Sequence, residues 1–120
     1  MSDKKVLIVS RMKTVAFFLK RIINSFNPAW EVLGFIGAAD AWEEAKKEPG
    51  KAFLIICDID LSGEMAYFEL LDKIKESFPQ IKFLVVANSY EGLTFGKKKP
   101  DFVILKPVYE ENLNQIIKTI

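Results

Sequence analysis

Histidine is absent from this 120-residue sequence, and Cys57 is its one cysteine. Without histidine the chain cannot build a Ser-His-Asp triad, a Cys-His dyad or a His-ligated zinc site, and it cannot carry a phosphohistidine. One thiol cannot close an internal disulfide, so the cysteine usage gives no sign of an oxidising compartment. Carboxylates, hydroxyls and cations are therefore the groups from which a site would be built.

The sequence also lacks an excess of either charge and any long hydrophobic run. Lys plus Arg total 17 and Asp plus Glu total 16, so the net charge is +1. The chain therefore lacks the excess of positive charge that is typical of proteins that bind nucleic acid. No apolar run approaches the roughly 18 residues of a membrane span. The short run after Lys4-Lys5, residues 6–9, is followed at once by Arg11 and Lys13, which is not typical of a signal peptide. We expect a cytoplasmic protein that binds neither nucleic acid nor membrane.

What the sequence does contain is an alternation of short apolar runs with longer amphipathic stretches, and half of its residues are hydrophobic. The apolar runs predict strands at 6–9, 30–36, 53–57, 83–87 and 102–105. The amphipathic stretches predict helices near 15–26, 38–47, 67–78 and 113–120. Residues 1–120 are therefore predicted to form one α/β domain, a doubly wound, flavodoxin-like parallel sheet of order 2-1-3-4-5.

Two features of this pattern carry further expectations. The fourth crossover, 89–100, contains Gly92 and Gly96 and has no apolar stripe, so its helix should be short or irregular. The first helix has apolar residues at 15, 18, 19, 22, 23 and 26, so its phenylalanines are expected in the core. Cys57, Trp30 and Trp42 are expected to be packing residues, with an interface role for Trp42 left open.

Polar residues follow four of the predicted strands at their carboxyl ends. Ser10-Arg11 follows the first strand, Asp58 the third, Asn88 the fourth and Lys106 the fifth. Functional groups gather at this edge of an open parallel sheet. The predicted strand order places Asp58 centrally, with Arg11 on one side and Lys106 on the other.

The sequence resembles the receiver domain of two-component response regulators over essentially its whole length. The resemblance is carried by VLIV near the start, LIICDIDLSGEM in the middle and VILKPV near the end. It implies that Asp58 is the position that accepts a phosphoryl group from a histidine kinase and that Lys106 contacts the phosphoryl oxygens. It also implies a cis peptide bond before Pro107 and a Mg²⁺ ion near Asp58.

The sequence departs from the family's pattern at the residues that hold the metal and switch the domain. Ser10-Arg11 stands where the family has an acidic pair, Ala87 replaces a Ser or Thr, and Val103 replaces an aromatic switch residue. The segment between the fourth and fifth strands is also shorter than usual. We therefore predict a pseudo-receiver with weakened Mg²⁺ binding, in which Arg11 and Lys106 hold Asp58 in a fixed ion pair. Its output would be protein–protein interaction that does not depend on phosphorylation.

Several alternatives stay open. Asp60 would supply a second carboxylate for Mg²⁺, which would make the chain a functional phosphoacceptor. Asp58 would otherwise cap a turn, and Arg11 and Lys106 would be solvated. The Asp58-x-Asp60 pattern also resembles the nucleophile motif of haloacid-dehalogenase-type phosphatases, although it closes the third strand here. A flavodoxin-like cofactor site is disfavoured because the loop 10–14 has no glycine. We expect a non-enzymatic module whose partner is a histidine kinase or another signalling protein, with a homodimer left open.

Overall fold

The computed structural model describes residues 4–59, 67–88 and 97–120, and all statements about structure concern these residues. Five strands and four helices occur in them. In chain order they are β1 (Lys5–Val9), α1 (Lys13–Phe26), β2 (Glu31–Phe35), α2 (Ala38–Lys47), β3 (Ala52–Asp58), α3 (Tyr67–Ser77), β4 (Lys82–Ala87), β5 (Phe102–Leu105) and α4 (Glu110–Lys118). No described helix has the length and apolarity needed to cross a membrane.

The strands form one parallel sheet of order β2-β1-β3-β4-β5. This confirms the predicted fold class, and the bounds of α2 and β5 are those expected from the sequence. Trp30 lies just outside β2, where it packs against the rings of Phe26 and Phe53. The expected irregular fourth crossover falls largely on residues 89–96, which lie outside the described residues.

Alternate side chains of a strand point to opposite faces of the sheet, and among the described residues two helices cover each face. One core joins α1 and α4 to a set of strand residues that includes Ile8, Ile56, Val86 and Ile104. The other core joins α2 and α3 to the intervening residues, among them Cys57. The central strands are apolar on both sides, which is the pattern expected of a doubly wound parallel sheet.

The expectation that the phenylalanines of α1 lie in the core is wrong for two of them. Phe17 and Phe18 are 64% and 45% exposed, whereas Leu19, Ile22 and Ile23 are buried. Consecutive residues of a helix are about 100° apart, so Phe17 cannot share the face of Leu19 and Ile23. Phe18 lies at the border of the buried stripe.

The amino end of the sheet is crossed by a small network of charges. Lys5 Nζ lies 2.9 Å from Glu48 Oε1 and 3.4 Å from Glu44 Oε2, and Lys51 Nζ lies 2.9 Å from Glu48 Oε2. The hydrogen bonds from Lys51 and Lys5 lower the pKa of Glu48 from 4.5 to about 2. The network ties the start of β1 to the end of α2 and the turn that leads into β3.

Replacing Glu48 should change how stability depends on pH. Because the pKa of Glu48 is lowered on folding, its contribution is present above pH 4.5 and is lost as the pH falls towards 2. Glu48→Gln should therefore be less stable than the native chain at neutral pH and should lose less stability between pH 4.5 and 2. Urea unfolding at several pH values measures this. Glu43→Gln, which removes an exposed i,i+3 pair with Lys46, is the matched control and should change little. Parallel pH profiles for the native chain and Glu48→Gln would contradict the assignment.

Candidate functional site

Strand register places Ser10 beside Asp58. β1 and β3 are paired with Val9 opposite Cys57, so the next residues along, Ser10 and Asp58, are also side by side. Each lies two residues beyond a strand residue that faces α1 and α4, Ile8 for Ser10 and Ile56 for Asp58, so both side chains point to that same face of the sheet. The site therefore forms where the carboxyl ends of the two central strands run beneath the start of α1.

Asp58 is a buried carboxylate that meets a lysine. It is 1% exposed and is the last residue of β3. Lys106 Nζ lies 3.0 Å from Asp58 Oδ1 and 3.2 Å from Oδ2, so one ammonium donates to both oxygens. Burying an ionised carboxylate is costly unless a cation and hydrogen bonds compensate it. Lys106 supplies that compensation from the end of β5, which lies on the opposite side of β4 from Asp58.

The Ser10 hydroxyl gives Asp58 a second contact. Ser10 Oγ lies 3.2 Å from Asp58 Oδ2 and 3.3 Å from the carbonyl oxygen of Met12, and its single proton can be donated to one of them at a time. The same oxygen accepts the backbone N–H of Met12 at 3.1 Å. Ser10 thereby fixes the turn between β1 and α1 against Asp58.

The backbone holds the lysine in place. The N–H of Lys106 donates to the carbonyl of Ala87 at 2.7 Å, which extends the pairing of β4 and β5 by one residue. The Lys106–Pro107 peptide bond is cis, as the resemblance implied. On the other side of Asp58, the N–H of Ile59 donates to the carbonyl of Val86 at 3.1 Å. Both residues that form the ion pair are thus anchored to β4.

Cys57 lies next to the site but faces the opposite core. It is fully buried, as expected, and burial together with the Asp58 carboxylate raises the pKa of its thiol. A thiol with a raised pKa is a poor nucleophile because the reactive form is the thiolate. Cys57 is therefore a packing residue of the α2 and α3 core.

The other predicted site residues are placed as follows. Arg11 is exposed and lies one residue beyond the position in register with Asp58, and Asn88 is exposed after β4. Ala87 is buried at the end of β4, and Val103 is half-buried opposite Val85 in β5. Asp60 lies outside the described residues. The predicted contacts of Arg11 with Asp58 or Asp60 stay predictions.

Among the described residues, the side-chain contacts of Asp58 include a lysine and a serine hydroxyl, and Asp58 belongs to no cluster of metal ligands. Mg²⁺ prefers carboxylate and carbonyl oxygens in octahedral geometry. Ranges 4–59, 67–88 and 97–120 contain no group of three or more side chains of metal-ligating type. Asp58 contributes one carboxylate, and a lysine ammonium contacts both of its oxygens. Ser10 offers a hydroxyl where the resemblance implies a carboxylate.

The sequence pattern did not predict the hydrogen bond from Ser10 to Asp58 or the exposure of Phe18. The first would have required the register of β1 on β3, which decides whether residue 10 or residue 11 lies beside Asp58. For the second, the adjacent pair Phe17-Phe18 was the available signal, because two neighbouring bulky residues cannot both lie at the centre of one helical stripe.

Comparison with known proteins shows similarity at the level of structure. No family model matches the sequence, and no curated protein matches it significantly. An uncharacterised protein from Neptuniibacter caesariensis superposes with a TM-score of 0.83 at 22% identity, over 98% of this chain and 87% of that one. A response regulator receiver domain from Clostridium thermocellum gives 0.78 at 16% identity, over 97% and 92%. The chemotaxis protein CheY4 of Vibrio cholerae gives 0.76 at 17% identity, over 98% of each chain. The chain therefore has the receiver-domain fold.

The ion pair predicts an order of stabilities among three variants. Lys106→Met leaves the buried Asp58 carboxylate without its ammonium and should cost roughly 1–3 kcal/mol of unfolding free energy. Asp58→Asn removes the buried charge and should cost less. The double variant should be more stable than the sum of the two losses predicts, because the two groups are coupled. Urea unfolding measures all three, and Lys20→Met on the exposed side of α1 is the control. Strict additivity would contradict the coupling.

Proposed function

We propose that this chain is a receiver-type signalling module in which Asp58 occupies the phosphoacceptor position but is held in a standing ion pair. Its output is then protein–protein interaction that does not depend on Mg²⁺-assisted phosphorylation. The observation that carries the proposal is the hydroxyl of Ser10, which lies 3.2 Å from Asp58 Oδ2 at the position where the resemblance implies a carboxylate that holds Mg²⁺. The receiver fold supplies the context for that contact.

The charge balance of the site supports this proposal. Phosphoryl transfer to a carboxylate requires its negative charges to be neutralised, and a divalent cation normally contributes to this. Here the position of the family's acidic pair holds Ser10, whose hydroxyl contacts Asp58, and Arg11, whose guanidinium is always charged. A positive charge at that position disfavours Mg²⁺, and a hydroxyl is a weaker ligand than a carboxylate.

The absence of the usual switch residues supports the same proposal. In the receiver domains that the sequence resembles, a hydroxyl at the end of the fourth strand forms a hydrogen bond to the phosphoryl group. An aromatic residue in the fifth strand acts as the switch and changes position when that bond forms. Ala87 has no hydroxyl, and Val103 has no ring. Both residues belong to the sheet, where Ala87 is buried and Val103 is packed against the α2 and α3 core. The proposed domain therefore keeps one conformation.

A second candidate is a phosphoacceptor that recruits Asp60. Asp60 follows Asp58 by two residues, so a carboxylate at that position would add to the single carboxylate of the described site. In both candidates the chain is a signalling module without turnover of its own, it lies in the cytoplasm, and its partner is a histidine kinase or another signalling protein.

The deciding experiment is incubation of the protein with Mg²⁺ and acetyl phosphate, followed by intact mass measurement. The proposal expects no added phosphoryl group. Ser10→Asp/Arg11→Asp places two carboxylates at the position of the family's acidic pair and should gain one phosphoryl group, which Asp58→Asn introduced into the same variant should abolish. Circular dichroism of each variant shows that it is folded.

A phosphoryl group on the native protein that is lost in Asp58→Asn would overturn the proposal. Loss of the same group in Asp60→Asn would then establish the second candidate. Addition of a phosphoryl group that persists in Asp58→Asn would place the acceptor elsewhere and would contradict both candidates.

A further inference from the structure

A cleft of about 570 Å³ lies beside the Asp58 site, between α1 and the loop that joins β5 to α4. Its lining includes Leu19 and Val86, which are fully buried and form its base, and Phe18 and Val108 on opposite walls. Lys106 is the one charged residue among the described lining residues. The cleft is thus an apolar concavity that shares a lysine with the ion pair.

One exposed ring lines this cleft. Phe18 is 45% exposed and stands in the wall that α1 supplies, beside Val15. Met12, Phe17 and Tyr109 are also exposed and lie in the two segments that supply the walls, 12–18 and 107–109, but they are not among the described residues that line the cleft. The fifth large exposed hydrophobic residue of the described chain, Ile36, lies after β2. An exposed ring in the wall of an apolar concavity is surface that a bound apolar molecule would cover.

Lys106 supplies the charge with which the cleft would orient a ligand. It is the one charged residue among the described lining residues. Arg11 precedes α1 and Lys13 begins it, and Glu110 shares the neighbouring pocket with Phe18. The carboxylate that contacts Lys106 belongs to Asp58, at the base of the neighbouring site. An apolar concavity with a lysine in its lining is complementary to an apolar molecule that bears an anionic group.

The volume indicates the kind of occupant. Small-molecule sites are apolar concavities of about 300–1,000 Å³ with few polar groups that fix orientation, and this cleft meets that description. We propose that it binds a small amphiphilic carboxylate of the medium-chain fatty-acid type. The hydrocarbon chain lies over Leu19, Val86 and Phe18, and the carboxylate is bound at Lys106.

The ligand carboxylate and Asp58 compete for one ammonium. Lys106 contacts both oxygens of Asp58, so an anion in the cleft draws the ammonium towards itself and away from Asp58. Removing the Asp58 charge should therefore strengthen ligand binding. The site does not depend on whether Asp58 accepts a phosphoryl group, so it can be tested separately from the proposed function.

The experiment is isothermal titration of the native protein with sodium octanoate, decanoate and dodecanoate, each below its micelle concentration. Each methylene buried in the cleft should tighten binding by about twofold to fourfold until the chain outgrows the cleft. Decan-1-ol, which has the same chain and no charge, should bind about tenfold more weakly than decanoate.

Variants assign the binding to the cleft. Phe18→Ser removes a wall residue and should weaken decanoate binding, whereas Ile36→Ser removes an exposed apolar residue elsewhere and should leave it unchanged. Lys106→Met should lower affinity about tenfold and remove the preference for decanoate over decanol. Asp58→Asn should raise affinity for decanoate and not for decanol. Amide NMR spectra of each variant show that it is folded.

Several outcomes would overturn the proposal. These are no binding of decanoate by the native protein, equal affinity for decanoate and decanol, or an effect of Ile36→Ser as large as that of Phe18→Ser. Binding to anionic phospholipid vesicles without binding to decanoate would assign the patch to a membrane surface and would also contradict a small-molecule site.

Discussion

The buried carboxylate of Asp58 is the constraint on which the carboxyl end of this sheet depends. A charge at that depth must be neutralised, and the chain does so with an ammonium from the far side of β4 and a hydroxyl from β1. The ammonium requires the N–H of Lys106 to be anchored at Ala87, and the hydroxyl requires the turn after β1 to close on Ser10. One side chain therefore holds together two loops that come from opposite ends of the chain.

The proposed function follows from which charges meet at this point. A receiver that accepts a phosphoryl group must hold extra negative charge, and the cation that offsets it must be able to arrive and leave. In this chain Lys106 supplies one cation to Asp58, as the resemblance implies for receivers in general, but Ser10 and Arg11 stand at the position of the acidic pair. An ammonium on a side chain is present in every state of the protein, whereas a bound metal ion is present only when its ligands recruit it. Loss of the acidic pair thus favours a fixed state over a switched one.

The sequence predicts the strands and helices well because each apolar run has an unambiguous length and each helical stripe a clear period. It places Asp58 and Lys106 at one edge because parallel strands share that edge. It does not decide whether Ser10 or Arg11 lies beside Asp58, since a shift of one residue in the register of β1 on β3 would exchange their positions. It also misplaces Phe18, because helical periodicity locates the centre of a buried stripe better than its border.

The ion pair and the cleft are built from residues whose side chains point to the same face of the sheet. Ser10, Asp58, Val86 and Lys106 all fall on the face that α1 and α4 cover, so the polar site and the apolar concavity are built from consecutive side chains of one surface. Lys106 has a long apolar stem that can line a cleft while its ammonium reaches a carboxylate. A residue shared in this way couples the two places, because an anion that engages the ammonium from the cleft weakens its hold on Asp58. If the site has lost its response to phosphorylation, this shared lysine is where another input would act on it.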